Sequence, residues 1–157
     1  MAFTRDIYYQ ALFNRLRAKV PDVMTWSRRA ILFSEISPSM QPACLVLVAN
    51  QDSATDPGGP TIWTLGADVW LLVKSTNQQA SLDSILNNLV DLVERALLRD
   101  VTDVHVGPYM ETDRVHTTLG GLVSRVFIAG PIEFTQGEGG EQAQVVIPID
   151  MEVLGDG

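Results

Sequence analysis

Cysteine and histidine, the side chains that most often bind transition metals, are nearly absent. The chain has one cysteine, Cys44, and two histidines, His105 and His116. A single cysteine excludes an internal disulfide, and none of the three residues has the spacing of a zinc site or of a nucleophile with its base. Cys44 lies in the apolar run 43–49, which favours a buried and inert thiol. We interpret both histidines as surface or turn residues.

Basic residues are also scarce. There are 11 Lys and Arg residues against 19 Asp and Glu, which gives a formal net charge of -8. Tight binding to a phosphate backbone depends on Lys and Arg side chains that displace counterions. We therefore expect that nucleic acid is not held by this protein.

Long hydrophobic runs are missing too. A helix that spans a bilayer needs roughly 20 apolar residues, and the longest apolar stretches here are interrupted by Asp68, Lys74 or Pro148. The first residues lead directly into a helical pattern, so we expect neither a signal peptide nor a transit peptide. The sequence predicts a protein that starts in the cytoplasm and does not enter a membrane.

Catalytic signatures are absent as well. The chain has no Gly-x-Ser-x-Gly, His-Glu-x-x-His or EF-hand spacing. The glycine-rich stretch 136–142 lacks the lysine of a phosphate-binding loop, no helix follows it, and its acids would repel a phosphate. We predict that the protein is not an enzyme and uses no cofactor and no metal ion.

What the sequence does contain is ample material for a folded core. Hydrophobic residues make up 46% of the 157 residues, and this length is typical of one domain, so we predict a single domain over residues 1–157. The first helix is predicted from an N-cap at Thr4 to Lys19, before Pro21, with apolar positions at helical spacing: Ile7, Tyr8, Ala11, Leu12 and Leu16. Its basic residues, Arg15, Arg17 and Lys19, are expected to complement the helix dipole.

The middle of the chain alternates between strand patterns and breakers. Residues 23–28 indicate a short strand, and the apolar run 43–49 indicates a central strand covered on both faces. Residues 51–60 are predicted to form a loop, because they are rich in glycine, proline and aspartate. Residues 61–74 alternate as one strand more than about 40 Å long, which either bends near Gly66 or extends beyond the domain body. Trp70 and Leu72 need cover on its other face, and cover from within the chain is favoured.

The second half of the chain predicts a helix and a long hairpin. Ser81 is placed to cap an amphipathic helix over 82–98. Residues 100–118 show only a weak alternation and then a polar connection. Two strands, about 122–134 and 143–154, are expected to form a terminal hairpin, and Pro148 indicates that the second strand is locally at an edge. The predicted fold class is α+β, with a mixed or antiparallel sheet and two main helices packed on it.

The order of these elements resembles that of a known family. The first helix, the strand end at Ser27, the entry Gln41-Pro42-Ala43 to an apolar strand, the strand 63–73, the helix 81–98 and the hairpin from Gly120 to Pro148 are similar to the tail terminator proteins of long-tailed, siphovirus-type bacteriophages. The likeness covers most of the chain. It fits loosely at the segments 51–60 and 100–118.

The resemblance implies a structural protein of the virion tail or neck, assembled in the host cytoplasm. Members form a hexameric ring of identical subunits on the last ring of the major tail tube protein, stop tail polymerisation and offer a joining surface to the head-tail connector or completion protein. DNA passes through the lumen without specific binding, and acids lining the lumen would suit that passage. The expected contact residues lie in two loops: Asp52, Asp56, Pro57, Gly58 and Gly59, and then Gln136, Gly137, Glu138, Gly139, Gly140 and Glu141.

Two other functions remain open. A head completion protein at the neighbouring position of the phage neck would have the same chemistry and a different partner. A non-viral α+β regulatory module would need a pocket with a few convergent polar groups for a small molecule, and the sequence identifies no such set.

Overall fold

Two α-helices and a six-stranded mixed sheet make up the part of the chain that the structure describes. The computed structural model describes residues 4–55, 57–74, 81–104, 115–136 and 142–155. The elements are α1 Asp6–Lys19, β1 Thr25–Ser27, β2 Ala43–Thr55, β3 Thr61–Lys74, α2 Leu82–Ala96, β4 Arg125–Ile128, β5 Glu133–Gln136 and β6 Gln142–Leu154. The predicted α+β class is confirmed.

The sheet is built around the longest strands. Its order is β1-β2-β3-β6-β4, with β5 beside β4 on the outer side of β6. Strand β3 pairs with β2 on one side and with β6 on the other, antiparallel in both cases. The predicted strand 43–49 is the first half of β2: residues 43–45 lie between β1 and β3, and both faces are buried there, as predicted, whereas the middle position of the sheet belongs to β3. Only β1 is parallel to its neighbour, over three residue pairs.

The helices cover one face of the sheet. Alternate residues of β6, from Ala143 to Val153, are buried beneath them, as the period of two along a strand requires. Helix α2 begins after Ser81, whose hydroxyl accepts a hydrogen bond from the backbone N–H of Ser84, so this predicted cap is confirmed. The helix ends at Ala96, two residues before the predicted end, and Leu97 follows as a buried C-cap.

Helix α1 differs in detail from the prediction. Its N-cap is Arg5 and not Thr4, since the first turn closes with a hydrogen bond from Tyr8 N–H to the Arg5 carbonyl. Ile7 is exposed, because the helix turns the adjacent stripe toward the core. The buried side chains are Tyr9, Leu12, Phe13 and Leu16.

The connection between β1 and β2 covers part of the opposite face. It contains two short 3-10 turns, Phe33–Glu35 and Pro38–Met40, and places Ile36 against Leu45 and Leu72. Trp70 packs on the same small cluster. The expectation that cover for Trp70 and Leu72 comes from within the chain is confirmed.

The terminal hairpin is interrupted on its first strand. The predicted strand 122–134 is split into β4 and β5, because Gly130 and Pro131 break the ladder between them. Pro148 of β6 lies opposite this gap, where its carbonyl accepts a hydrogen bond from Ala129 N–H. The N and C=O of a strand residue point to the same side, so the position that lacks an N–H faces the gap. Pro148 is thus at a local edge, as predicted, although β6 as a whole has partners on both sides.

Candidate functional site

The first predicted contact loop is shorter than expected. Residues Gln51 to Thr55 continue β2 and pair with β3 as far as Thr61, so the predicted loop 51–60 is wrong in its first half. Asp52 is consequently an exposed strand residue opposite Thr64. Pairing with the strongly β-forming strand β3 overrides the low strand propensity of these polar residues.

The remaining turn joins β2 to β3. Pro57 and Gly58 are exposed, and Gly59 is partly exposed. Gly58 has a φ of 76°, a left-handed conformation that glycine adopts without a side-chain clash. Asp56 lies outside the described residues. The turn is thus a narrow hairpin tip and not a broad flexible loop.

Gln136 is the described residue of the second predicted contact loop, and it lies at the far end of the sheet. Gln136 ends β5, and its side-chain amide donates a 2.6 Å hydrogen bond to Asp83 at the start of α2. Gly137, Glu138, Gly139, Gly140 and Glu141 lie outside the described residues. Strand β3 separates the two candidate loops with its 14 residues, which at about 3.3 Å each span roughly 40 Å. The loops therefore belong to two surfaces and not to one site.

A β-bulge sets the direction of the β2–β3 hairpin. Three steps along β2, from Val48 to Gln51, match two steps along β3, from Ala67 to Leu65. The extra residue is on β2, where Ala49 and Asn50 together lie opposite Gly66 of β3, and a Cβ atom on Gly66 would lie 2.6 Å from the Asn50 carbonyl oxygen. The bend near Gly66 that the sequence suggested thus corresponds to a defined irregularity of the strand pair.

Helix α1 holds this bulge from the core side. The Tyr9 hydroxyl donates to the Gly66 carbonyl at 2.9 Å and accepts from the Gln51 side-chain amide at 3.1 Å. Burial raises the pKa of Tyr9, so the phenol stays protonated and keeps its donor. The outer hairpin is therefore connected to the helical layer at its base.

The helix-free face of the sheet carries a group of acids. It alternates with the buried core face along the strands, and its described strand residues include five carboxylates and two basic side chains: Asp52, Asp68, Glu133, Asp150, Glu152, Lys74 and Arg125. Arg125 pairs with Glu152 at 2.7 Å. Burial and the neighbouring Glu152 raise the pKa of Asp150. Apart from Asp52, these residues were not predicted as site residues, although the alternation of β3 and β6 already places most of them on the side opposite the core.

The basic residues at the end of α1 have a structural role. Arg15 donates to the carbonyl oxygens of Ala96 and Leu98, at 2.9 and 2.8 Å, and pairs with Asp100 at 3.1 Å. Lys19 also pairs with Asp100, at 3.0 Å. The prediction was that Arg15 complements the dipole of its own helix. Its guanidinium instead donates to carbonyl groups at and just beyond the C-terminus of α2.

A buried carboxylate completes this junction. One oxygen of Asp103 accepts hydrogen bonds from the Thr117 hydroxyl and from the backbone N–H groups of Thr118 and Gly120. The other accepts from Asp100 N–H and lies 3.6 Å from Arg15. Burial alone would raise the pKa of Asp103, but these donors outweigh it and lower the pKa. All the Asp103 donors come from loop connections, so we assign it to structure.

One cavity could accept a small molecule. It has a volume of about 330 Å³ and lies between the end of α2 and β4, beside Glu94, His116 and Arg125. Two of its lining residues have contacts of their own: Arg125 lies over the Phe127 ring at 4.4 Å and pairs with Glu152, and His116 packs edge-on against the same ring. His105, the other histidine, lies outside the described residues.

Metal and thiol chemistry find no support in the part of the chain that the structure describes. No group of three or more potential ligands is close enough there to hold a metal ion. Cys44 is fully buried in β2, and this burial raises the pKa of its thiol. No helix of the described ranges is long and apolar enough to cross a membrane.

Comparison with known proteins shows a similarity of fold. No protein-family model matches the chain, and no curated protein matches it. Among solved structures, a chain from the virion of a native gene transfer agent particle aligns over 94% of both chains, with 11% identity and a TM-score of 0.51. Another solved chain aligns over 97% of this protein and 95% of its own length, with 15% identity and a TM-score of 0.46. The first likeness supports a shared fold.

Proposed function

We propose that the protein is a structural component of a phage-like virion and acts as a tail terminator. It would form a hexameric ring on the last ring of the tail tube, stop tail polymerisation and offer the surface to which the head joins. The observation that carries this proposal is the end-to-end fold similarity to a chain of a gene transfer agent virion, a phage-like particle. The family resemblance of the element order supports the same role.

The positions of the candidate contact residues suit a ring between two partners. The β2–β3 tip, with Pro57, Gly58 and Gly59, and the β5 end, with Gln136, lie at opposite ends of β3. One end would contact the major tail tube protein and the other the head-tail connector or completion protein. The other predicted contact residues neighbour them in sequence, Asp52 and Asp56 for the first contact and residues 137–141 for the second, and we propose the same contacts for them.

The helix-free face suits the lumen of such a ring. Its carboxylates, Asp52, Asp68, Glu133, Asp150 and Glu152, would repel the phosphates of passing DNA, so the DNA slides without being held. The helices would then face outward. A lumen lined by basic residues in the assembled ring would contradict this assignment.

Two alternatives are distinguished by their partners. A head completion protein would use the same ring at the neighbouring position of the neck. A ligand-binding regulatory module would use the 330 Å³ cavity beside His116 and Arg125. A ligand-induced rise in melting temperature, lost in Phe127→Ala, would favour the module over the virion role.

The role is tested by disabling the reading frame and viewing the resulting particles by electron microscopy. A terminator predicts overlong or irregular tails detached from filled heads, because tube growth has lost its stop. Tails of normal length beside unjoined heads would place the protein at the connector. Normal virions would contradict the proposal.

A further inference from the structure

The connection between β1 and β2 crosses the helix-free face of the sheet as a strap. We use this name for residues 28–42, which contain the two short 3-10 turns and cover Leu45 and Leu72. Both ends of the strap are fixed, because β1 and β2 pair with each other where the strap leaves one strand and enters the next. The strap can therefore lift from the sheet without breaking the strand ladder.

Two isoleucine side chains hold the strap on the sheet. Ile36, which is 2% exposed, and the partly buried Ile31 pack in a small apolar cluster with three residues of the sheet: Ala43, Leu45 and Leu72. This cluster is separate from the main core between the sheet and the helices. Among the described residues, no hydrogen bond joins residues 30–41 to β2 or β3, since their bonds stay within the strap or reach Thr25 of β1.

The closed strap also buries a polar atom without a partner. The side-chain amide of Gln41 donates to the Ile36 carbonyl at 3.0 Å, but its Oε1 atom is buried and has no hydrogen-bond partner in the described part of the chain. A buried acceptor that makes no hydrogen bond costs free energy, because it has lost its bonds to water. An open strap returns this oxygen to water, so the cost applies to the closed form alone.

The outer side of the strap is partly apolar as well. Leu32 and Met40 are 68% and 46% exposed, so the strap divides its large apolar side chains between the sheet and the solvent. A segment with few buried apolar contacts and few hydrogen bonds to its surroundings opens at a lower free energy than the whole fold. The strap meets this description, whereas β2 beneath it is paired with β3 from Ala43 to Thr55.

We propose that the strap is a removable cover: residues 28–42 open as a local unit while the sheet and both helices stay folded. The closed strap hides Leu45 and Leu72 and part of Trp70. The open strap turns these side chains into an exposed apolar patch on the helix-free face, and patches of this kind are where proteins associate. The inference concerns the folded chain itself and does not depend on the proposed ring.

The test is thiol labelling at two adjacent positions of β2. Cys44 lies in the main core, whereas Ala43 lies under the strap, so the thiol of Ala43→Cys is on the opposite face of the same strand. The folded proteins are treated with a thiol reagent, and the modified residue is identified by mass spectrometry. We expect the thiol at position 43 to react about tenfold faster than Cys44 does in the wild type, because it needs only the local opening.

The dependence on urea separates local opening from unfolding of the whole chain. Opening of the strap exposes little surface, so the labelling rate at position 43 is expected to change little at low urea concentrations. Cys44 reacts through unfolding of the main core, which exposes much more surface, so its labelling rate is expected to rise steeply with urea. Circular dichroism verifies that each variant is folded.

Ile36→Ala removes the main contact of the strap and is expected to speed labelling at position 43 by about tenfold. Leu32→Ala is the matched control, because it shortens an exposed side chain of the same strap and should leave this rate unchanged. Leu72→Cys places a second thiol under the strap, so the result does not depend on one substitution. Equal rates with equal urea dependence for Cys44 and for the thiols under the strap would overturn the proposal. Equal rates in Ile36→Ala and Leu32→Ala would also overturn it.

Discussion

Asp103 joins parts of the chain that are distant in sequence. Its carboxylate accepts from Thr117, Thr118 and Gly120 and faces Arg15 of α1. Because the side chain is fully buried, an Asn amide in its place would keep one acceptor oxygen but would put an NH₂ group where the other oxygen accepts from Asp100 N–H and faces the Arg15 guanidinium.

Asp103→Asn is therefore expected to destabilise the protein by about 2 kcal/mol. Its effect also depends on pH. The folded-state pKa is lowered, so the carboxylate stabilises the fold above its unfolded pKa of about 3.9, and this stabilisation is lost as the pH falls below that value. We would measure urea unfolding between about pH 3 and pH 7. The free energy of unfolding is expected to fall less steeply toward acid pH in the variant than in the wild type.

The exposed Asp91 of α2 offers the control, since Asp91→Asn removes the same charge from a solvated position. We expect Asp91→Asn to unfold at the same urea concentration as the wild type at every pH. Equal stability of Asp103→Asn and Asp91→Asn would contradict the role of the buried carboxylate.

Residue-level partners were the least predictable part of the fold. The sequence position of Arg15 predicts an interaction with the end of its own helix, yet its side chain donates a hydrogen bond to the Ala96 carbonyl, 81 positions away. Tyr9 was absent from the predicted apolar stripe because its neighbour Tyr8 satisfied the same spacing, and the choice between them depends on the rotation of α1 against the sheet. Such choices are made by tertiary packing, which local periodicity does not encode.

At the scale of elements, the bulge opposite Gly66 determines how the outer hairpin leaves the body of the sheet. Gly66→Ala would place a Cβ atom 2.6 Å from the Asn50 carbonyl oxygen, so the strands must separate. We expect a loss of about 2 kcal/mol, measured by thermal or urea unfolding.

Gly130→Ala provides the comparison. The added Cβ would lie 3.5 Å from Pro148, an ordinary contact, so the melting temperature is expected to stay near that of the wild type. A Gly66→Ala variant as stable as Gly130→Ala would mean that the bulge does not constrain the strand pair.

The N-cap of α2 supports a second prediction at this scale. Ser81→Ala removes the acceptor for Ser84 N–H and is expected to cost about 1 kcal/mol of unfolding free energy. Ser84→Ala, three residues on, alters an exposed helical position and is expected to be neutral or slightly stabilising. Equal melting temperatures of Ser81→Ala and Ser84→Ala would mean that the cap does not contribute to the stability of the protein.

Helices and strands could be predicted from the sequence where a single pattern was dominant. The alternation of 61–74 gave β3 with its correct ends, and the apolar stripe with Ser81 located α2. Prediction failed where two tendencies competed. The polar residues 51–55 predict a loop, but they pair with β3 as part of β2. Residues 122–134 predict one strand, but Gly130 and Pro131 interrupt it.

At the scale of the whole molecule, the two faces of the sheet have distinct properties. The helical layer lies on one face, and the carboxylates of Asp52, Asp68, Glu133, Asp150 and Glu152 lie on the other. In the proposed ring the acidic face would line the lumen, and the two ends of β3 would remain for the tube and the head.

The candidate contact loops show what the sequence could predict at this scale. Their glycines and prolines predicted two turns, and the described residues Pro57, Gly58 and Gly59 do lie in a turn between β2 and β3. The distance of roughly 40 Å between the two ends of β3 could not be predicted, because it follows from the pairing of β3 with both neighbours over its whole length.

The most direct measurement is the location of this protein in the intact particle. Purified virions carrying an epitope-tagged copy would be labelled with gold and imaged by electron microscopy, with untagged virions as the control. The proposed role predicts label at the junction of head and tail, on the last ring of the tube. Label along the capsid or at the distal tail tip, or none on complete virions that stain for the tag in the lysate, would contradict it.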